Sequence, residues 1–110
     1  MSTVLSKVKR LEEYMASTNA SSLNRVLELT IDKLFDRETS RLVSQKAKLE
    51  QQLADFERRY SLSSEEFYEK FERGELGDDM DFVEWSATYE MTANLRHRLS
   101  ILGWEEASPS

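Results

Sequence analysis

Residues 62–85 read LSSEEFYEKFERGELGDDMDFVEW, and the reading of this stretch decides the fold. Leu62-Ser63-x-x-Glu66-Phe67 is a helix start. Ser63 suits the N-cap, Glu66 stands at the third helical position of a capping box, and Leu62 can touch Phe67 across the cap. Phe67, Tyr68 and Phe71 then make the apolar side of a short helix, which Gly74 can close in the left-handed conformation. Gly77 permits a second sharp turn, and Asp78 or Asp79 can cap the next helix. One helix stop between two helix starts turns the chain back on itself.

Upstream, residues 23–60 contain neither Gly nor Pro. Leu23, Val26, Leu27, Ile31, Leu34 and Phe35 make a broad apolar face. Phe35, Leu42, Leu49 and Phe56 then recur every seven residues, with Leu53 and Tyr60 four beyond Leu49 and Phe56. That is a heptad seam, interrupted by Thr39 and Lys46. A helix of about 38 residues would run about 57 Å at about 1.5 Å per residue, too long for one small globule. Either it breaks at residues 36–39, or its N-terminal half projects and pairs with another chain. Pairing is the expectation, with Leu23, Leu27, Leu34 and Phe35 as the self-association residues of a homodimer.

Downstream, Phe82, Trp85, Tyr89, Thr92, Leu95 or Arg96, Leu99 and Leu102 fall at spacings of three and four, and Gly103 is a natural stop. The last helix matches the second half of the long one in length. A short connection between them implies an antiparallel hairpin, with the short helix across its closed end. At the other terminus, Val4, Val8, Leu11 and Met15 mark a short amphipathic helix. The polar run at residues 17–22 is a linker, and Ser21 or Ser22 can cap the long helix. The expected fold is therefore all-α: an N-terminal helix and linker (residues 1–20), a coiled-coil helical hairpin (21–103) and a disordered tail (104–110).

Composition agrees. Three Gly, one Pro, 39% hydrophobic and 33% charged residues suit a narrow seam between long helices rather than a thick core. No apolar run approaches the roughly 20 residues of a membrane helix, the N-terminus lacks the apolar region of a secretory signal, and there is no Cys for a disulfide framework. A cytoplasmic protein without membrane contact is expected. The net charge of −6 is uneven: residues 1–60 carry 11 Lys/Arg and 9 Asp/Glu, residues 61–110 carry 4 and 12. An acidic half disfavours a nucleic-acid phosphate as its ligand and suits a basic protein partner, although acid also serves solubility alone.

Sites for chemistry are weak. Asp78, Asp79, Asp81 and Glu84 form the one candidate metal cluster, but the calcium-loop pattern fails for want of its Gly and terminal Glu, and Asp at a helix start is ordinarily a cap. No metal and no cofactor are expected. The carboxylates Glu65, Glu66, Glu69 and Glu72 have no pocket to separate their pKa values for acid–base catalysis, and His97 stands without a second ligand. Phosphate loops, nucleophile elbows and DNA-reading motifs are missing, so neither an enzyme nor a direct nucleic-acid binder is expected. The aromatics Phe67, Tyr68, Phe71, Phe82, Trp85 and Tyr89 read first as core of the hairpin corner and second as a partly exposed patch anchoring a partner.

The run YSLSSEEFYEKFERGELGDDMDFVEW at residues 60–85 resembles a family of small, mostly uncharacterised prokaryotic helical proteins. They share a long charged helix, a tyrosine, a Ser-x-Glu-Glu-Phe helix start, a Gly-Glu-x-Gly-Asp-Asp turn and a Glu-Trp helix. The resemblance spans residues 35–102. Such proteins look like the antitoxin-like partners encoded beside toxin genes. The resemblance implies a non-enzymatic interaction module that neutralises a basic toxin stoichiometrically. Glu65, Glu69, Asp78, Asp79 and Glu84 would then mimic phosphate, and Phe67, Tyr68 and Trp85 would anchor. The competing expectation is a structural coiled-coil protein that only self-associates.

Overall fold

A computed structural model of the protein describes residues 3–18 and 21–105. They form four helices and no strand: α1 (Thr3–Ser17), α2 (Ser21–Tyr60), α3 (Ser64–Glu72) and α4 (Met80–Ile101). The all-helical expectation and the element order hold. The chain divides into two compact units, Met1–Asp36 and Arg37–Ser110. The division falls inside α2, beside the segment where a break was one expectation, yet α2 is helical throughout.

In the unit from Arg37 onward, α4 runs antiparallel to the second part of α2. Arg59 pairs with Asp81 at 2.9 Å, Phe56 stacks on Trp85, Arg96 pairs with Glu50 at 3.1 Å, and Leu42 shares a buried cluster with Leu95 and Leu99. Descending positions on α2 thus meet ascending positions on α4. The heptad seam explains why: Leu42, Leu53 and Phe56 are buried, and Leu49 is half-buried. On α4 the buried positions include Trp85, Thr92, Leu95 and Leu99 at helical spacing, and Leu95 rather than Arg96 takes the inward place.

The helix ends follow local chemistry. Ser63 Oγ accepts from the Glu66 amide at 3.2 Å, and Leu62 packs on the cluster that contains Phe67. Asp79, not Asp78, caps α4 by accepting from the Asp81 amide at 2.9 Å. At the end of α3 the Glu75 amide donates to the Lys70 carbonyl and the Gly74 amide to the Phe71 carbonyl, with Gly74 at φ 74°. The same paired bonds close α4, from Trp104 to Leu99 and from Gly103 to Ser100.

Two expectations are corrected. Ser21 and Ser22 are not caps but the first residues of α2, and the position before them lies outside the described residues. Trp104, expected in a disordered tail, is half-buried against the Leu42, Leu95 and Leu99 cluster, with Lys46 Nζ 5.5 Å from its ring centre. Residues 106–110 of that tail lie outside the described residues. Lys46, one of the two polar interruptions of the seam, is 5% exposed, and its ammonium pairs with Glu50 at 3.0 Å. Its four-carbon stem supplies the apolar contact while its head finds a carboxylate.

Candidate functional site

The aromatic corner is assembled by α2, α3 and α4. Phe67 and Trp85 lie parallel with ring centres 3.9 Å apart, Phe56 stacks on the same indole at 5.5 Å, and Phe71 and Phe82 flank Phe67. Tyr60 stacks on Trp85 at 5.7 Å, and Tyr68 stacks on Tyr89 at 4.7 Å. Such pairs each contribute about 0.5–1.5 kcal/mol beyond area burial. Phe67 and Trp85 are both 0% exposed. Of the two readings the sequence offered for them, core of the hairpin corner and anchors for a partner, the first is the one they follow: they pack the protein's own core and present no surface to a partner. Tyr68 is half-buried, and its hydroxyl donates to Glu90 at 2.7 Å.

Beneath the rings runs a polar chain that local sequence patterns do not reveal. Trp85 Nε1–H donates to Ser64 Oγ at 2.9 Å, and Ser64 Oγ–H donates to Glu57 Oε2 at 2.7 Å. The Ser64 amide also donates to Glu57 Oε2, at 3.0 Å. One carboxylate on α2 therefore satisfies the first turn of α3, where the helix dipole favours negative charge, and Ser64 hands the bond on to α4. Spacings of 7 and 21 residues give no local signal of this chain. Its only trace is that Trp85, if buried, must find an acceptor.

A second cluster stands at the rim. Asp81 Oδ2 accepts from Arg59 Nη1 at 2.9 Å and from the Tyr60 hydroxyl. The Tyr60 bond, then the Arg59 guanidinium, hold the Asp81 carboxyl below its ordinary range, and the same bond holds the Tyr60 phenol above its own. Burial pushes the Glu50 carboxyl up, but Lys46 and Arg96 together outweigh it and leave it lowered. The Glu90 carboxylate, then Glu72, raise the Tyr68 phenol. The Arg59, Tyr60 and Asp81 cluster, the Arg96–Glu50 pair and the Tyr68–Glu90 bond join helices, whereas Lys46–Glu50 lies within α2 and Tyr68–Glu72 within α3.

The carboxylates expected to face a partner lie on three successive elements. Glu65 and Glu69 are on α3, Asp78 and Asp79 in the connection after it, and Glu84 on α4; all five are exposed. Asp79 is engaged as a cap. Glu65, Glu69, Asp78 and Glu84 have no ion pair or side-chain hydrogen bond among the described residues. Nor do His, Cys, Asp or Glu converge among the described residues in a group able to hold a metal ion. A groove of about 460 Å³ runs between α2 and α4, lined by Asp55, Arg59, Glu84 and Met91 among others. It is open and of mixed polarity. A smaller cavity of about 210 Å³ is walled by Glu57, Ser64, Glu65, Thr92 and Arg96.

The other unit is built differently. None of its described residues is buried. Leu11, Met15, Leu23 and Leu27 are half-buried. Val26, Leu29 and Leu34 are 60%, 63% and 61% exposed, and Val4, Val8, Ile31 and Phe35 are exposed as well. Of the residues expected to self-associate, Leu23 and Leu27 are thus partly covered, and Leu34 and Phe35 are open. No helix among the described residues is long and apolar enough to cross a membrane.

Comparison with protein-family models, with curated proteins and with solved structures finds no match for this chain.

Proposed function

We propose that this chain is a non-enzymatic protein-interaction module, antitoxin-like in action, whose acidic hairpin covers a basic surface on a protein partner. One observation carries the reading. Glu65, Glu69, Asp78 and Glu84 stand exposed without partners among the described residues, on a half of the chain that carries 4 Lys/Arg against 12 Asp/Glu. Carboxylates free of internal ion pairs keep their full potential for a positively charged surface, and complementary potentials speed and orient encounter. The packed aromatic corner fixes the backbone of α3 and α4 that carries Glu65, Glu69 and Glu84, which lowers the entropy lost on binding. The resemblance of residues 35–102 to small prokaryotic antitoxin-like proteins names a toxin as the class of partner, and a cytoplasmic location goes with it.

The exposed apolar residues of α1 and of the start of α2 favour a second reading, a coiled-coil protein that self-associates and binds nothing else. The two readings separate in one titration. Wild-type protein and a variant carrying E65Q, E69Q, D78N, D79N and E84Q are titrated against the product of the adjacent gene. Asn at position 79 keeps the cap. The expected result is binding weakened about tenfold or more in the variant, and a wild-type affinity that falls as salt rises. Equal binding by the two proteins, or none by the wild type, overturns the antitoxin-like reading.

A further inference from the structure

We infer that the groove between α2 and α4 is a homodimer interface, in which two copies of the hairpin pack face to face and antiparallel as a four-helix bundle. This goes beyond the proposed function. It leaves Glu65, Glu69, Asp78 and Asp79 to the basic partner and claims Glu84 for a second copy of this chain.

The hairpin is covered on one side only. There α3 walls the smaller cavity together with Glu50 and Glu57 of α2 and Arg96 of α4. Gln52 and Arg59, each two positions further along α2, point about the opposite way and line the groove. A second hollow of about 430 Å³, lined by Lys48, Leu49 and Arg98 among others, shares Gln52 and Met91 with the groove and continues it. Together they run from Gln45 to Arg59 on α2, about 21 Å or four turns. Met91, 49% exposed, stands at the centre, with Ala87 towards one end and the half-buried Leu49 towards the other. Two antiparallel helices with one open, four-turn face have the surface of half a four-helix bundle.

The lining identifies the other half. Lys48 and Arg98 lie at one end of the groove, Asp55 and Glu84 at the other, and all four are part of its wall. Lys48 and Glu84 have no ion pair or side-chain hydrogen bond among the described residues. Arg59 is taken up by Asp81. Asp55 pairs with Arg58, but between exposed side chains, where such a bond is worth little. A basic partner meets Lys48 and Arg98 here, and an acidic one meets Asp55 and Glu84. A second copy avoids both conflicts when a two-fold axis crosses the helices at Gln52 and Met91. Lys48 then lies opposite the copy's Asp55, and Arg98 opposite its Glu84. An axis along the helices would instead set Lys48 against Arg98 and Asp55 against Glu84, so charge selects the antiparallel arrangement. On the axis itself Met91 meets Met91, an adaptable apolar contact. Gln52 meets Gln52, whose amide both donates and accepts and so pairs with itself. Charge, apolar contact and hydrogen bonding are therefore all self-complementary on this face.

The test uses the full chain. Sedimentation velocity over a concentration series should show a species of twice the 12.9 kDa chain mass. M91D sets two like charges together on the axis and should raise the dimer dissociation constant about tenfold or more. Met91 is exposed, so helicity by circular dichroism should be retained. K48E and D55K should each dimerise less well than wild type. An equimolar mixture of those two should recover a mixed dimer, because each variant chain then faces its complement. A monomeric wild type overturns the inference, as does a mixture that recovers nothing. A dimer indifferent to M91D, K48E and D55K overturns it too, because it would lie on another face. A monomer that still binds its partner in the carboxylate titration above would sink the dimer and leave the proposed function standing.

Discussion

The two units of this chain face the same problem, covering the apolar face of a long helix, and meet it in opposite ways. From Arg37 onward the chain supplies its own cover. Leu42, Leu53 and Phe56 on α2 are enclosed by Trp85, Leu95 and Leu99 on α4 and by Phe67 on α3. Before that point the same helix displays Val26, Leu29 and Leu34 at 60% exposure or more. Apolar residues are present in both stretches. What differs is the cover: within the unit from Arg37 onward α4 returns along α2 with a matching face, whereas none of the described residues of the first unit is buried. The lesson is that a hydrophobic stripe records a need for cover without saying whether the cover is internal.

The comparison is broken most forcefully at Trp85. Trp85→Ala should cost about 3–5 kcal/mol in chemical denaturation, because it empties a site enclosed by Phe56 and Phe67. Leu29→Ala, at concentrations where the chain is monomeric, should stay within about 0.5 kcal/mol of wild type. Comparable losses at the two positions would mean that the units are not built differently. Next in size, Ser64→Ala leaves the Trp85 N–H without its acceptor and should cost about 1–3 kcal/mol. A loss below that range would show that the polar chain orders α3 without stabilising it.

Ser61 offers a gain. It holds φ 51°, and the Leu62 amide donates to the Glu57 carbonyl around it. A non-glycine residue in that region carries about 1–2 kcal/mol of strain. Ser61→Gly should recover part of this, raising the denaturation midpoint with an unchanged slope.

The smallest effect is that of pH. Asp81 and Glu50 have folded values below their ordinary 3.8 and 4.5, so the unfolded chain binds more protons through that range. Their contribution is present above the ordinary values and lost as pH falls through the lowered ones. Tyr60 and Tyr68 work in the other direction. Their folded values lie above the ordinary 10.0, so that contribution is present below it and lost as pH rises through the raised values. Stability flat across acid titration would show that these exposed pairs are screened and contribute little.

Much of this is legible in the residues because local chemistry determines it. Gly74 and Gly103 end helices where a positive φ is needed, and Ser63 caps where its oxygen can reach the third amide on. Period-seven spacing locates Leu42 and Phe56, and spacings of three and four locate Trp85, Thr92 and Leu99. The site is less legible. The carboxylates at 65, 69, 78 and 84 are exposed as charged residues on a short helix and a turn ordinarily are. Phe67 and Trp85, open to reading as core or as anchors, turn inward, because three helices converge there and large rings gain more by burial than by display. Period-seven spacing puts Lys46 on the seam, but that its stem packs beside Trp104 is beyond any local pattern.

Sequence by itself determined the helices, their ends and the apolar faces they carry, since propensity, capping and periodicity act over a few residues. Only the tertiary structure decided which faces are covered, that Glu57, Ser64 and Trp85 form one polar chain, and that Lys46 and Trp104 close the far end of the seam. Those outcomes depend on groups brought together from 7 to 58 positions apart, a distance over which local preferences carry no information.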